Sequence, residues 1–167
     1  MTPRTLSILP VLLLLAGSLS AQSLLASNSD SALALPDGSS APVAVIPPSP
    51  AEQREVQQNI KDIHFDFDQA DLRPEDRSTL EQDAQWLRAH PGTLVTIEGD
   101  ADERGGIVYN VALSEKRAAV TKDALVSLGV PDDQIIFATG WGKLYPACFA
   151  SDESCWSQNR RAHFAAW

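Results

Sequence analysis

An arginine on the buried face of a predicted helix constrains this chain more than any other feature. The stretch from Gly99 to Val120 reads GDADERGGIVYNVALSEKRAAV, in which a strand end leads through a charged, glycine-rich loop into a long helix. Apolar residues recur along that helix at helical spacing, at Leu113, Val120, Ala124 and Leu128. Arg117 falls on the same stripe. Because its guanidinium stays charged, it needs an acidic partner or an anionic ligand there.

Two interpretations of Arg117 are open at this point. Asp102 lies in the loop, 15 residues earlier, and can form a structural ion pair with Arg117, or Arg117 can extend its charged end to water. Alternatively, Asp102 and Arg117 together bind a ligand. The periodicity alone favours the structural pair, in which case the chain is a protein-interaction module that uses another surface.

The charge balance excludes some classes of partner. The chain has 167 residues, and 13 Lys and Arg against 22 Asp and Glu give it a net charge of −9. It contains no basic run and no basic helix face, so we expect no nucleic-acid partner and no binding to an anionic membrane surface.

The first 21 residues are typical of a secretory signal peptide. Arg4 is their only charge, residues 6–16 form an apolar run, and small residues follow. An uncleaved membrane anchor is the alternative, but the apolar run is short for a bilayer span. No cysteine precedes Cys148, so we expect no lipid anchor and a soluble mature chain that begins near Gln22.

Residues 22–54 are rich in Ser, Ala and Pro and contain no aromatic residue. Such a segment cannot bury enough apolar surface to order itself, which predicts a disordered linker. The folded domain is then expected over residues 55–167.

The domain has the pattern βαβαββ. The predicted strands cover residues 63–68, 94–98, 134–139 and 161–166, the predicted helices follow Pro74 and run from about Asn110 to Leu128, and residues 141–157 form an irregular loop. Leu80, Ala84 and Leu87 form the buried stripe of the first helix. This order predicts a two-layer α/β sandwich with helices packed on a mixed sheet.

The two cysteines are predicted to form a disulfide because the chain is exported. Cys148 and Cys155 are separated by a short polar loop, and in the cytosol they would be free thiols. We expect the bond to hold the long segment before the last strand, away from any binding site.

The sequence does not match the catalytic and metal-binding motifs with which we compared it. His64, His90 and His163 have no HExxH spacing. Cys148, Cys155 and His163 together offer at most three zinc ligands, at non-standard spacing. The acidic loop begins like an EF-hand but has Arg104 and Val111 where oxygen ligands are required. We therefore expect no metal, no cofactor and no catalytic residue, and a cell-wall hydrolase is the weakest of the functions considered.

Three sequence blocks resemble a known family. FDFDQADLRPE, VTIEGDADERGGIVYNVALSEKRAAV and SQNRRAHF, in this order, resemble the OmpA-like peptidoglycan-binding domain. The motif DERG…YN.ALSEKRA is most similar to the peptidoglycan-associated lipoprotein (Pal) branch of this family. The resemblance covers the chain from about Ile60 onward and implies the α/β sandwich fold. It also implies non-catalytic, non-covalent binding of the diaminopimelate-containing stem peptide of the bacterial cell wall.

The resemblance implies six ligand-binding residues, namely Phe67, Asp68, Asp102, Asn110, Leu113 and Arg117. Asp102 is expected to accept hydrogen bonds from the ammonium of diaminopimelate, and Arg117 to fork onto its carboxylate. Backbone amides near Phe67 and Asp68 would add contacts, and Leu113 would line the pocket. Asn110 either fixes the loop or touches the ligand.

Two departures from the family pattern bear on the function. Asp100 stands where the family usually has histidine, and its effect on the ligand is left open. The lipid-carrying cysteine of the Pal branch is missing, so this chain alone could not tie the outer membrane to the wall. The resemblance implies peptidoglycan and envelope proteins of the Tol–Pal type as partners. The expected location is the periplasm, soluble or wall-associated, or peripheral to the outer membrane.

Overall fold

The computed structural model describes residues 47–167. The predicted signal peptide (1–21) and residues 22–46 of the predicted linker lie outside the described residues. Within residues 47–167, no helix is both long enough and apolar enough to cross a bilayer.

The described fold begins with helix α1 (Pro50–Asn59), earlier than the predicted start of the domain at residue 55. Ser49 and Glu52 form a reciprocal capping box, with Pro50 at the first helical position. Val56 is completely buried and fixes the helix to the core. Residues 50–54, which composition assigns to the linker, are therefore helical because the cap and one buried valine outweigh their polar character.

Four strands and three more helices follow. They are β1 (Ile63–His64), a 3-10 turn (Pro74–Asp76) leading into α2 (Arg77–Ala89), β2 (Val95–Asp100), α3 (Ile107–Ser127), β3 (Ile135–Gly142), α4 (Glu153–Asn159) and β4 (Arg161–Ala166). The sheet order is β1-β4-β2-β3. β2 pairs parallel with β3 and antiparallel with β4, so the sheet is mixed. The predicted α/β sandwich is confirmed, with α1 and α4 added to the βαβαββ order.

Helix α4 corrects the prediction of an irregular loop over residues 141–157. β3 continues to Gly142, and α4 occupies residues 153–159. The Asp152 carboxylate caps α4 by accepting a hydrogen bond from the N–H of Cys155, at 3.1 Å. The predicted disulfide between Cys148 and Cys155 is confirmed, and it ties the first turns of α4 to the segment before it. A helix of seven residues is too short to show a clear apolar period.

The core lies between the helices and the sheet. Leu80, Ala84 and Leu87 of α2 are buried, as predicted. Arg117 is buried on α3, as predicted, but the apolar stripe is displaced by one position. The buried residues of α3 are mostly small or polar, namely Asn110, Ser114, Arg117, Ala118, Thr121 and Leu125. The predicted apolar residues at 120, 124 and 128 are partly buried at the edge of the core.

Small residues bring α3 close to the sheet. A Cβ at Gly99 of β2 would collide with the backbone of Ser114, and one at Gly140 of β3 would collide with the backbone of Glu115. Both glycines are therefore needed for this approach. As a result, Arg117 lies directly against the end of β2, where the candidate site is found.

Removal of the disulfide is expected to lower the free energy of unfolding by about 2 kcal/mol, because the bond closes only a short loop. Thermal melts of the parent with and without a reductant should show the loss, and a Cys148→Ser, Cys155→Ser double variant should be insensitive to reductant. A parent melting temperature that does not change on reduction would contradict this prediction.

Candidate ligand-binding site

A small cleft opens where the loops after β1 and β2 meet the start of α3 and the residue before β4. Its volume is about 70 Å³. The lining consists of Phe67, Asp68, Ala101, Asp102, Arg104, Gly105, Tyr109, Asn110, Leu113, Arg117 and Arg160. All six residues that the sequence analysis assigned to a ligand site are among them. Their role in binding stays a prediction.

Arg117 lies at the buried end of this cleft, with none of its surface exposed. Its Nε donates to the carbonyl of Gln69 at 2.9 Å, its Nη1 to that of Asp100 at 2.8 Å and its Nη2 to that of Asp66 at 3.2 Å. Desolvation and the nearby Arg160 lower the pKa of Arg117 to about 10, so it remains cationic at neutral pH. These bonds use three of the five guanidinium N–H groups, which leaves two for another acceptor.

Asp102 is paired with two other arginines. Its Oδ1 accepts from the backbone N–H of Arg104 at 3.0 Å and from Nε of Arg104 at 3.1 Å. Its Oδ2 accepts from Nη2 of Arg104 at 2.6 Å and from Nη1 of Arg160 at 3.4 Å. Within residues 47–167, no salt bridge joins Asp102 to Arg117. Burial opposes ionisation of Asp102, but the hydrogen bonds and charges of these arginines hold its pKa below the usual value.

Arg160 is a site residue that the sequence analysis missed. Its side chain is 7% exposed. It donates from Nε to the carbonyl of Phe65 at 2.9 Å and from Nη2 to Oε1 of Glu153 at 2.6 Å. Its place in the SQNRRAHF block was the available signal. Nothing in a single sequence indicates that it meets Asp102, which is 58 positions away.

Arg104 is the second missed residue, and it also lines the cleft. Its guanidinium carbon is 4.0 Å from the ring centre of Phe67 and 4.1 Å from that of Trp156. Trp156 belongs to α4, and its Nε1 donates to Oε1 of Glu103 at 3.0 Å. Arg104 therefore makes cation–π contacts with two rings while it pairs with Asp102.

The loop that carries Phe67 and Asp68 was predicted as a strand, and this prediction is wrong beyond His64. Asp68 has φ 59°, in the left-handed region that Asp tolerates better than most residues. Its carboxylate accepts a hydrogen bond from the hydroxyl of Tyr109. The extended pattern ends because this segment turns over the cleft, where the carbonyls on either side of Phe67 and Asp68 accept from Arg117.

Asn110 and Leu113 come from α3, which begins at Ile107, three residues before the predicted start. Asn110 is buried and donates to the carbonyl of Arg104 at 2.8 Å and to that of Asp102 at 3.3 Å. These bonds support the interpretation in which Asn110 fixes the loop. Leu113 is half-buried and lines the cleft.

The side chain of Asp100 belongs to a different group of charges. Its Oδ2 accepts from Nε of Arg161 at 3.1 Å, and Arg161 continues to Asp62, which also pairs with His163. Burial raises the pKa of Asp100 to about 6, although Arg161 acts in the opposite direction. The carboxylate does not line the cleft, and only the backbone carbonyl of Asp100 contacts Arg117.

The cleft is more positive than the chain as a whole. Three arginines and two aspartates line it, whereas the chain has a net charge of −9. The arrangement is suited to a ligand that brings at least one carboxylate. Across the part of the chain that the structure describes, no three His, Cys, Asp or Glu side chains are grouped to hold a metal ion.

Comparison with known proteins identifies the class that this fold and cleft define. The model of the OmpA family matches residues 64–162, and the chain belongs to that family.

Among its relatives is a peptidoglycan-associated lipoprotein of Rhizobium meliloti, 46% identical over 115 residues, a stretch that covers 68% of this chain and 65% of that protein. The match thus spans slightly less than two thirds of this relative. The crystal structure of the peptidoglycan-associated lipoprotein from Burkholderia pseudomallei has a TM-score of 0.61 at 40% identity, and the match covers 64% of this chain and 90% of that one. The C-terminal domain of Helicobacter pylori MotB shares the fold, with a TM-score of 0.60 at 17% identity over 65% of this chain and 84% of that one.

Proposed function

We propose that this chain binds peptidoglycan non-covalently and without catalysis, through the free end of a diaminopimelate side chain in the stem peptide. The observation that carries the proposal is the cleft itself, which both Asp102 and buried Arg117 line. Arg117 has two N–H groups that its bonds to backbone carbonyls do not use. Relatives at 40–46% identity are named peptidoglycan-associated lipoproteins, which supports the same ligand.

The chemistry of the cleft matches an amino-acid end group. The free end of diaminopimelate is an ammonium beside a planar carboxylate. Arg117 can donate one N–H from each Nη to the two carboxylate oxygens, and its position is fixed in advance by three backbone carbonyls. Asp102 is held ionised and can accept from the ammonium. The exposed ring of Phe67 and the half-buried Leu113 would pack on the methylene groups that join the two amino-acid centres of diaminopimelate.

The proposed setting is the bacterial cell envelope. We place the mature chain in the periplasm, soluble or wall-associated, at the periphery of the outer membrane. Envelope proteins of the Tol–Pal type are the proposed protein partners. The alternative of an interaction module with a structural Asp102–Arg117 pair loses its main support, because Asp102 pairs with Arg104 and Arg160 instead.

Replacement of Asp102 by asparagine is expected to weaken binding to diaminopimelate-containing wall more than tenfold. The variant keeps the shape of the side chain but removes the charge that faces the ammonium, and breaking a desolvated charge pair costs about 2–5 kcal/mol. Sedimentation with purified wall sacculi measures the effect. Asp123→Asn, the same change at an exposed position of α3, is the matched control.

A second arm changes the ligand instead of the protein. Wall with lysine in place of diaminopimelate keeps the ammonium but lacks the neighbouring carboxylate, so the parent chain should not sediment with it. Equal binding of the parent to both walls, or undiminished binding by a folded Asp102→Asn variant, would contradict the proposed function.

A further inference from the structure

The side chain of Arg104 is hydrogen-bonded to the carboxylate of Asp102, which is the proposed acceptor for the ligand ammonium. We infer, on the basis of the proposed function, that Arg104 is a built-in competitor that holds the ammonium position on Asp102 in the free protein and is displaced when the ligand binds. Arg104 thereby lowers the affinity of the cleft for a ligand that carries this ammonium.

The competition follows from the hydrogen bonds at Asp102. The backbone N–H and Nε of Arg104 donate to Oδ1 of Asp102, and Nη2 of Arg104 donates to Oδ2 at 2.6 Å. The Arg104 side chain therefore makes a bidentate contact with both carboxylate oxygens. Arg160 adds a longer bond to Oδ2, at 3.4 Å. A ligand ammonium can approach Asp102 closely only by replacing the side-chain bonds of Arg104, because the backbone bond and Arg160 are fixed in the fold.

Of the two arginines on Asp102, Arg104 is the one that is free to move. Its side chain is 31% exposed, whereas that of Arg160 is 7% exposed and is held by the carbonyl of Phe65 and by Glu153. Arg104 also has a second anion available, since its Nη2 is already 3.7 Å from Oε2 of the exposed Glu153. When Arg104 is displaced from the carboxylate of Asp102, it can therefore pair with the carboxylate of Glu153 instead.

An aromatic clamp, consisting of Phe67 and Trp156, holds Arg104 in the competing position. The two rings lie 4.0 and 4.1 Å from the guanidinium carbon. Trp156 follows Cys155 directly, so the disulfide to Cys148 and the bond from Trp156 to Glu103 fix that wall of the clamp. Loosening either wall should make Arg104 easier to displace.

The consequence is a lower affinity for a ligand that brings its own cation, because only such a ligand has to displace Arg104. The apparent affinity of a ligand is its intrinsic affinity multiplied by the fraction of molecules in which its position is free. A ligand with both ammonium and carboxylate gains Asp102 in return for displacing Arg104. A ligand with the carboxylate alone binds Arg117, leaves Arg104 in place and is unaffected by it.

The test compares two stem peptides on the full chain by isothermal titration calorimetry. One peptide carries diaminopimelate, and the other carries 2-aminopimelate, which lacks only the ammonium at the free end. Arg104→Gln should bind the diaminopimelate peptide at least fivefold more tightly than the parent does, with the aminopimelate peptide unchanged within twofold. Trp156→Leu should give a smaller gain in the same direction. Arg54→Gln, at an exposed position on α1, should match the parent with both peptides.

The outcomes separate this inference from the function on which it rests. Weaker or unchanged binding of the diaminopimelate peptide by Arg104→Gln, or an equal change with both peptides, would overturn the competitor role. A parent chain that binds neither peptide would instead overturn the proposed peptidoglycan function.

Discussion

Replacement of Arg117 by alanine is expected to lower the free energy of unfolding by about 3–5 kcal/mol and to remove wall binding. Arg117 has the largest fully buried side chain among residues 47–167, so its loss leaves a cavity. It also leaves the carbonyls of Asp66, Gln69 and Asp100 without their donors, and the bond to Asp100 is fully buried. For a domain of this size the change corresponds to roughly 10–20 °C in melting temperature. Thermal and denaturant melts measure it, with exposed Lys116→Ala as the control.

A second variant separates binding from stability. Arg117→Lys keeps the positive charge but lacks the planar fork, so it should retain part of the stability and still bind diaminopimelate-containing wall more than tenfold more weakly. Both properties are measured at a temperature where this variant is folded. An Arg117→Ala variant that melts within 2 °C of the parent would contradict the structural role, and a folded Arg117→Lys variant with parental binding would contradict the ligand role.

The sequence predicted the position of Arg117 but not its partners. Helical spacing places Arg117 on the buried face of α3, and the structure confirms this. The predicted ion pair with Asp102 is not formed within residues 47–167. The acceptors of the Arg117 guanidinium are backbone carbonyls from the loop after β1 and from the end of β2, rather than the carboxylate of Asp102. Backbone carbonyls have no sequence signature, since every residue carries one. Arg160 reaches Asp102 only because β4 lies beside β2, a pairing that no local pattern encodes.

The secondary structure that the sequence did not predict has local causes. Helix α1 buries a single residue, Val56, so it shows no apolar period, although the capping box at Ser49 and Glu52 was legible in the sequence. Helix α4 is short and is stabilised by Asp152 and by the disulfide. The alternating pattern after Ile63 predicted a longer β1, but the positive φ of Asp68 turns the chain over the cleft. The patterns failed mainly around the site, where backbone groups serve Arg117 instead of extending the sheet.

Asp83 should make the fold less stable as the pH rises. It lies on α2 with 1% of its surface exposed, and its Oδ1 accepts from the N–H of Lys61 at 3.1 Å. Its Oδ2 has no hydrogen-bond partner among residues 47–167. Burial raises the pKa of Asp83 from 3.8 to about 7, against the opposing effect of Lys61. Between these two values the folded state binds more protons than the unfolded state does, so its stability falls with rising pH. By linkage, this carboxyl alone accounts for about 3 kcal/mol between pH 4.5 and pH 8.

The Asp83→Asn variant isolates this contribution, because the amide oxygen can still accept from Lys61 but cannot ionise. Denaturant melts of the variant and the parent at a series of pH values give the difference in free energy of unfolding. We expect this difference to move in favour of the variant by about 3 kcal/mol from pH 4.5 to pH 8. The change of this difference with pH is decisive, rather than its value at one pH. An unpartnered amide lowers the stability of the variant by the same amount at every pH. Glu81→Gln, an exposed carboxyl on the same helix, should run parallel to the parent. Parallel profiles for Asp83→Asn and the parent would show that Asp83 ionises in the folded state as easily as in the unfolded one.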